Sequence, residues 1–150
     1  MVSGVFSIPL EAGGSQTSAA CSSGALREGM LREYVGDDDN RQVEFAVRGL
    51  LTGERTCNPL VFRGPSGTGK TLLAQGLAQR WRAEHPGDPV FTTSGSEFAR
   101  RYASAVDTDG LAALRARTRA VAFLVLDDAH LLRHKRSAQE EFVRTFDALM

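Results

Sequence analysis

The chain has 150 residues, 42% of them hydrophobic, and its 18 basic and 18 acidic side chains leave no net charge. This length and apolar content suit one domain with a hydrophobic core. A neutral total charge excludes a protein that binds nucleic acid through overall basicity, so any such contact has to be local.

The first segment, residues 1–29, is rich in Ser, Gly and Ala. Because it can bury too little apolar surface to offset its ordering entropy, it is predicted to be a flexible tail or linker before a domain at residues 30–150. No stretch has the pattern of a secretory signal or a membrane span. Cys21 and Cys57 lack metal-binding spacing and are interpreted as reduced thiols, so the predicted compartment is the cytoplasm.

A helix is predicted next, with an N-cap among Asp38, Asp39 and Asn40 and an end at Gly53. Apolar residues recur along it at three- and four-residue spacing, which predicts one face turned to the core. These residues are Val43, Ala46, Val47, Leu50 and Leu51.

Residues 64–71 read Gly-Pro-Ser-Gly-Thr-Gly-Lys-Thr and fit the pattern G-x-x-x-x-G-K-[ST]. The apolar run at residues 59–62 predicts a strand before this segment, and residues 72–82 predict a helix after it. A chance match to four fixed positions occurs in roughly 1% of chains of this size. The flanking strand and helix make chance a weaker explanation still.

Strand, glycine-rich loop and helix together form a site for a nucleotide polyphosphate. Backbone N–H groups surround the β-phosphate, and the helix N-terminus faces its negative charge. Lys70 is expected to reach the β- and γ-phosphate oxygens, and the Thr71 hydroxyl to hold Mg²⁺. The predicted cofactors are therefore ATP and Mg²⁺. The predicted nucleotide-binding residues are Gly64, Gly67, Thr68, Gly69, Lys70 and Thr71.

The middle of the chain continues the alternation of strands and helices. Residues 85–89 contain two prolines and a glycine and predict a turn. A strand at 90–93 follows, and Ser94 or Ser96 is expected to cap a helix. This helix turns Phe98, Ala99, Tyr102 and Ala105 to one face. Residues 107–110 are predicted to break it before a second helix at 111–120.

The apolar run at residues 122–126 predicts a strand buried on both faces of a parallel sheet, and it ends in Asp127 and Asp128. Because parallel strands deliver their C-terminal ends to the ligand crevice, a carboxylate here can meet Mg²⁺ beside the phosphates. Asp127 is the predicted metal ligand. Asp128 is the candidate catalytic residue that polarises the attacking water. The alternative is that the two acids only end a strand.

A last helix is predicted from about Ser137 to the end of the chain, with Phe142, Phe146 and Leu149 at four- and three-residue intervals. The alternation of strands and helices predicts an α/β fold with a parallel sheet.

Several segments resemble the DnaA family, the AAA+ ATPases that initiate bacterial chromosome replication. The resemblance lies in Asn58-Pro59-Leu60, Ser96-Glu97-Phe98, Leu126-Asp127-Asp128-Ala129-His130, Gln139-Glu140-Glu141-Phe142 and Thr145-Phe146-Asp147-Ala148-Leu149. The last two segments discriminate better than the phosphate-loop and acidic motifs do, since many ATPases share those motifs.

The resemblance covers about residues 33–150 and implies a three-layer α/β/α P-loop NTPase of the AAA+ type. It implies a switch in which ATP lets protomers form a homo-oligomer that assembles at the replication origin and melts it. It also implies that hydrolysis resets the switch, and that the replicative helicase is a further partner.

In the family, two helices before the acidic strand contact single-stranded DNA, and here they correspond to residues 97–106 and 111–120. The resemblance thus implies a DNA contact by Arg115 and Arg119, with Arg117 adding to the local positive charge, and by Lys135. Basic side chains suit phosphate contact. A solvated charged face explains the three arginines equally well.

The chain departs from the family pattern at four positions in and near these helices. Leu114 and Thr118 stand where the family often has aromatic residues, and Ser137 and Ala138 stand where it has an arginine and a hydroxyl residue. The last two departures weaken the expectation of a DNA contact through this loop.

The family continues past the position of Met150 with a sensor strand, an arginine finger, a helical lid and a helix-turn-helix domain that reads duplex origin DNA. We therefore expect a partial AAA+ domain, incomplete at its C-terminal end, that alone hydrolyses ATP poorly or folds marginally. Two alternatives stay open. One is a helicase loader or transposition-helper ATPase, and the other is a nucleotide-sensing module without catalysis.

Overall fold

The computed structural model of the protein describes residues 6–9, 41–52 and 58–150. It divides after Trp81 into two compact units. The predicted cap at residues 38–40, the predicted helix end at Gly53 and both cysteines lie outside the described residues. So does the predicted tail, apart from residues 6–9.

The first unit contains two strands and two helices. Strand β1 is Phe6–Pro9, helix α1 is Arg41–Leu51, strand β2 is Leu60–Arg63, and helix α2 begins at Lys70 and ends at Glu84, just past the division. Val43, Ala46 and Val47 of α1 are buried, as the three- and four-residue spacing predicted. Leu73, Leu77 and Ala78 form the buried side of α2.

Strand β1 lies in the segment predicted to be a tail, and the sequence analysis did not predict it. It pairs in parallel with β2, with Phe6 opposite Leu60 and Pro9 opposite Arg63. Four residues are too short a run to stand out by periodicity alone, since such a run gains its stability from the strand it pairs with.

The second unit contains the remaining elements, and all of them except an unpredicted 3₁₀ turn lie near their predicted positions. Strand β3 is Val90–Ser94, helix α3 is Gly95–Asp107, helix α4 is Leu111–Arg119, strand β4 is Phe123–Asp127, a 3₁₀ turn covers Ala129–Leu132, and helix α5 is Arg136–Leu149. Strands β3 and β4 are parallel, with Val90 opposite Phe123 and Ser94 opposite Asp127. The α/β class with parallel strand pairing is therefore confirmed.

The core of the second unit forms around the start of α3. Phe98 and Ala99 pack with Leu132 and Ala138, and Tyr102, Leu126 and Phe142 border this cluster. The rings of Phe98 and Phe142 meet edge to face, with centroids 5.3 Å apart. The helix-to-turn packing holds the end of β4 in place.

One prediction about burial in this unit is wrong, that of a β4 strand buried on both faces. In β4 only Phe123 is fully buried, and the other four residues are half-buried; among the described strands, β4 pairs with β3 alone. In α5 the fully buried residues are Ala138, Glu141 and Thr145, whereas Phe142, Phe146 and Leu149 are only half-buried. A stripe that contains Glu and Thr does not stand out as apolar.

Candidate nucleotide-binding loop and acidic pair

The loop between β2 and α2 requires glycine at two positions. Gly67 and Gly69 have φ values of +84° and +79°, in the region where residues with a side chain are strained. A Cβ atom at Gly67 would meet nothing within 4 Å. The backbone conformation, rather than a lack of space, therefore requires glycine here.

Two predicted side chains of this loop are held against the same backbone oxygen. Thr68 is buried, and its hydroxyl donates to the Pro65 carbonyl at 3.0 Å. The Lys70 ammonium donates to that carbonyl too, and to Thr68 Oγ1 at 3.2 Å. Gly64 is exposed just after β2, and Thr71 is exposed in the first turn of α2. The loop thus brings one ammonium group to the N-terminus of a helix, where backbone N–H groups lack intrahelical partners.

The acidic pair lies where β4 ends. Asp127 is the last residue of the strand, opposite Ser94 at the end of β3. Asp128 has left-handed backbone angles, φ 46° and ψ 45°, which Asp adopts more readily than most residues. The Asp128 N–H donates to Asp127 Oδ1 at 2.9 Å. This bond ties the two acids together, while the Asp128 side chain stays 51% exposed.

The 3₁₀ turn after the pair is also anchored to Asp128. The Asp128 carbonyl accepts the Leu131 N–H at 2.9 Å, and Leu132 is buried in the core cluster. His130 Nδ1 lies 3.8 Å from Asp128 Oδ1 on the exposed side. Both peptide groups of Asp128 are therefore fixed, and its carboxylate faces solvent.

Arg115, one of the predicted DNA-contacting residues, is bound to a buried carboxylate. Its Nε and Nη2 atoms donate to the two oxygens of Glu141, both at 2.7 Å. The Glu141 side chain is 3% exposed and that of Arg115 is 36% exposed. Arg144 Nη1 lies 3.9 Å from Glu141 Oε2. Arg115 thus joins α4 to α5.

This bidentate pair shifts the pKa values of both partners. The hydrogen bonds from Arg115 lower the pKa of Glu141, against the opposing effect of burial, and the charges of Arg115, Arg144 and Arg119 lower it further. Glu141 in turn raises the pKa of Arg115. The carboxylate of Glu141 is charged at neutral pH.

The other predicted DNA-contacting side chains are exposed. Arg119 ends α4 and Lys135 directly precedes α5. Arg117, between Arg115 and Arg119, lies over the ring of Phe91 at 5.7 Å from the ring centroid.

Glu141 is a buried partner of Arg115 that the sequence did not predict. A signal for its burial was present, because Ala138, Glu141 and Thr145 follow the three- and four-residue spacing of one helix face. No local pattern in the sequence names a partner 26 residues away.

Comparison with known proteins shows that the chain is an AAA+ ATPase domain. The model of the bacterial DnaA ATPase domain matches residues 30–150. The chain belongs to this family. No solved structure matches it.

Three relatives carry the name chromosomal replication initiator protein DnaA. The protein of Sphingopyxis alaskensis is 38% identical over 106 residues, 70% of this chain and 23% of the relative. That of Corynebacterium aurimucosum is 38% identical over 95 residues, 63% of this chain and 17% of the relative. That of Cereibacter sphaeroides is 35% identical over 118 residues, 78% of this chain and 26% of the relative. The chain thus spans about a quarter of the length of these relatives or less.

The alternative of a helicase loader or transposition helper is not favoured, since none of these three relatives has such a name. In the part of the chain that the structure describes, no helix is long and apolar enough to cross a membrane.

Proposed function

We propose that this chain is the ATP-binding and ATP-hydrolysing domain of a replication initiator, in a protein that assembles on and melts an origin in an ATP-dependent way. The observation that carries the proposal is the loop at residues 64–71, with two left-handed glycines and the Lys70 ammonium at the start of α2. Membership of the DnaA family supports the same function.

The loop residues fit a nucleotide polyphosphate. Gly64, Gly67, Thr68 and Gly69 would offer backbone N–H groups to the phosphates, since the left-handed glycines let the chain curl around an anion. Lys70 already lies at the loop, so its ammonium would exchange the Pro65 carbonyl for phosphate oxygens, which are stronger acceptors.

Thr71 and Asp127 are the proposed protein ligands of Mg²⁺, because hydroxyl and carboxylate oxygens are the donors that this ion prefers. Bound Mg²⁺ would neutralise charge that develops on the phosphates. Asp128 is the proposed residue that polarises the attacking water, and its exposed carboxylate is free to approach one.

The DNA-binding proposal rests on Arg119 and Lys135, whose side chains are exposed. Arg115 would not contact DNA directly; its role would be to orient α4 through its bond to Glu141. A phosphate that captured its guanidinium would leave the buried Glu141 charge without its main partner, which is strongly unfavourable.

The remaining proposals follow from the family alone. They comprise the three-layer α/β/α arrangement, a homo-oligomer in the ATP state, duplex origin DNA bound by another domain of the protein, contact with the replicative helicase, and a cytoplasmic location.

The first prediction tests the phosphate loop by titrating the chain with a fluorescent ATP analogue in Mg²⁺. We expect Lys70→Ala to weaken binding about tenfold or more, because a charge-assisted bond to phosphate contributes about 1.5–3 kcal/mol. Arg133→Ala is the matched control, since it also removes one cation but lies outside the loop. Equal dissociation constants for wild type and Lys70→Ala would contradict the proposed function.

A further inference from the structure

Gly95, the first residue of α3, is buried where backbone segments of two elements nearly touch. A Cβ atom at this position would lie 2.7 Å from the backbone oxygen of Asp128, 3.2 Å from the Leu132 nitrogen and 3.3 Å from Leu132 Cγ. Real Cβ atoms essentially never approach another heavy atom within 3.0 Å. Any side chain at residue 95 must therefore displace the Asp128 carbonyl.

The backbone conformation of Gly95 does not itself require glycine. Its φ lies outside the left-handed region, in contrast to Gly67 and Gly69. An L residue can adopt such a conformation without strain. The close approach to Asp128 is thus the physical reason for the missing side chain.

The Asp128 carbonyl that Gly95 approaches belongs to a backbone segment held by hydrogen bonds on both sides. It accepts the Leu131 N–H at 2.9 Å, and the N–H of the same residue, Asp128, donates to Asp127 Oδ1. Asp128 is in the left-handed region, where few neighbouring conformations are allowed. Displacing its carbonyl would break the hydrogen bond from the Leu131 N–H, or it would change the backbone angles at the Asp128 Cα and so redirect the carboxylate.

The contact also links the acidic pair to the most buried part of the second unit. Three residues after Gly95, Phe98 is 1% exposed and packs with Leu132. Ser94, directly before Gly95, accepts the Glu97 N–H and caps α3. The start of α3 is therefore a rigid surface against which Asp128 is set.

We propose that Gly95 is a positioning residue for the acidic pair: it lets the backbone of α3 support the Asp128 carbonyl and so sets the direction of the Asp128 carboxylate. The effect on ATP hydrolysis rests on the proposed function, whereas the effect on the backbone does not. Gly95 itself touches no nucleotide in this role.

The test compares Gly95→Ala with wild type in the full 150-residue chain. Gly110→Ala is the matched control, because Gly110 also lies at the start of a helix, has φ −91°, and would bring its Cβ closest to the rotatable Thr108 hydroxyl, at 3.3 Å. Hydrogen exchange of the Leu131 amide is the first measurement. We expect about tenfold faster exchange in Gly95→Ala and no change in the control, since exchange reports local opening.

Single-turnover hydrolysis of radiolabelled ATP, with protein in excess, is the second measurement. A misplaced carboxylate is expected to slow hydrolysis about tenfold to a hundredfold while the ATP dissociation constant changes less than about threefold. In an Asp128→Asn background, Gly95→Ala is expected to cause no further loss, because the two changes then act on the same group. A purely structural defect would reduce both backgrounds alike.

If Gly95→Ala does not fold, Gly95→Ala/Ala129→Gly is measured instead. Glycine after Asp128 makes the backbone flexible enough for the Asp128 carbonyl to move away from the new Cβ. Unchanged Leu131 exchange in a folded variant overturns the proposal, and so does unchanged hydrolysis where wild type hydrolyses ATP. Absence of hydrolysis in wild type agrees with the poor hydrolysis expected of a partial domain, and Leu131 exchange alone then decides whether Gly95 positions Asp128.

Discussion

The carboxylate of Glu141 is almost fully removed from solvent, and its charge is matched by two hydrogen bonds from Arg115. Transfer of two ions out of water is costly, and their attraction recovers that cost only when the geometry is good. Loss of one partner leaves a buried charge alone, whereas loss of both leaves an apolar contact. The two cases should therefore differ in stability.

The second prediction uses this difference. We expect Arg115→Met to lower the midpoint of urea unfolding, and Arg115→Met/Glu141→Leu to recover roughly half of the loss or more, because the double variant contains no unpaired buried charge. Arg136→Met is the matched control, since its bond to Glu140 is exposed and should contribute little. A double variant that is less stable than Arg115→Met would be the contrary result.

The third prediction concerns pH. Because Arg115 lowers the pKa of Glu141 in the folded chain, the pair stabilises the fold above the ordinary glutamate pKa, about 4.3. That stabilisation is lost as pH falls through the folded-state pKa. The difference in unfolding free energy between wild type and Glu141→Gln should therefore be largest near neutral pH and shrink in acid.

Glu140→Gln serves as the control for the pH series, since it changes an exposed neighbour in the same helix. Its difference from wild type should stay small throughout. A constant difference for Glu141→Gln between pH 7 and pH 3 would show that the ion pair does not carry the effect.

In helix α3, one side chain sets the start of the helix. Ser94 has extended backbone angles, φ −98° and ψ 163°, and its hydroxyl accepts the Glu97 N–H at 3.2 Å. The hydroxyl thereby satisfies one of the N–H groups that a helix start leaves without a partner. This residue was one of two serines predicted for the cap.

The fourth prediction is that Ser94→Ala destabilises the chain by about 1 kcal/mol, the usual cost of losing a side-chain cap. Ser104→Ala, at an exposed position inside α3, should change stability by less than about 0.5 kcal/mol. Chemical denaturation of the three proteins checks this. Equal losses for the two variants would mean that the hydroxyl of Ser94 does not act as a cap.

Most helices and strands were predictable because their signals are local. The break at residues 85–89 contains Pro, Gly and Asp, the break at 107–110 contains Gly and Asp, and helix α3 between them has a regular apolar spacing. The burial of Thr118 and Thr145 was not predictable from polarity. Each hydroxyl donates to a carbonyl of its own helix, at 3.0 and 3.1 Å. The methyl group is then the part left for packing.

The candidate site was predictable only where its residues are close together in the sequence. The loop glycines, Lys70 and the two aspartates stand in contiguous motifs, so sequence alone predicted them. The Gly95 contact with Asp128 and the bond of Arg115 to Glu141 join residues 33 and 26 positions apart along the chain. Tertiary packing creates them, and no short pattern encodes such a pair.

For the molecule as a whole, the core of the second unit depends on Phe98, which is 1% exposed and contacts the ring of Phe142. The fifth prediction is that Phe98→Ala lowers the unfolding free energy by about 3–5 kcal/mol through the lost burial and the cavity left behind. Phe45→Ala removes the same atoms from a residue that is 62% exposed. It should cost less than about 0.5 kcal/mol.

Thermal unfolding followed by circular dichroism distinguishes these two variants. Native domains have only about 5–15 kcal/mol of stability, so Phe98→Ala should melt far below wild type or be unfolded at room temperature. A melting temperature close to that of Phe45→Ala would mean that the core does not depend on this ring.

One aromatic ring, that of Phe91 in β3, lies beneath the guanidinium groups of both Arg101 from α3 and Arg117 from α4, at 5.6 and 5.7 Å from its centroid. Helix α4 is thus held by two contacts, that of Arg117 with this ring and that of Arg115 with Glu141. If single-stranded DNA binds Arg119 as proposed, a displacement of the end of α4 would act on both contacts. The cation–π contact with Phe91 in β3 and the ion pair with Glu141 in α5 would then resist it together.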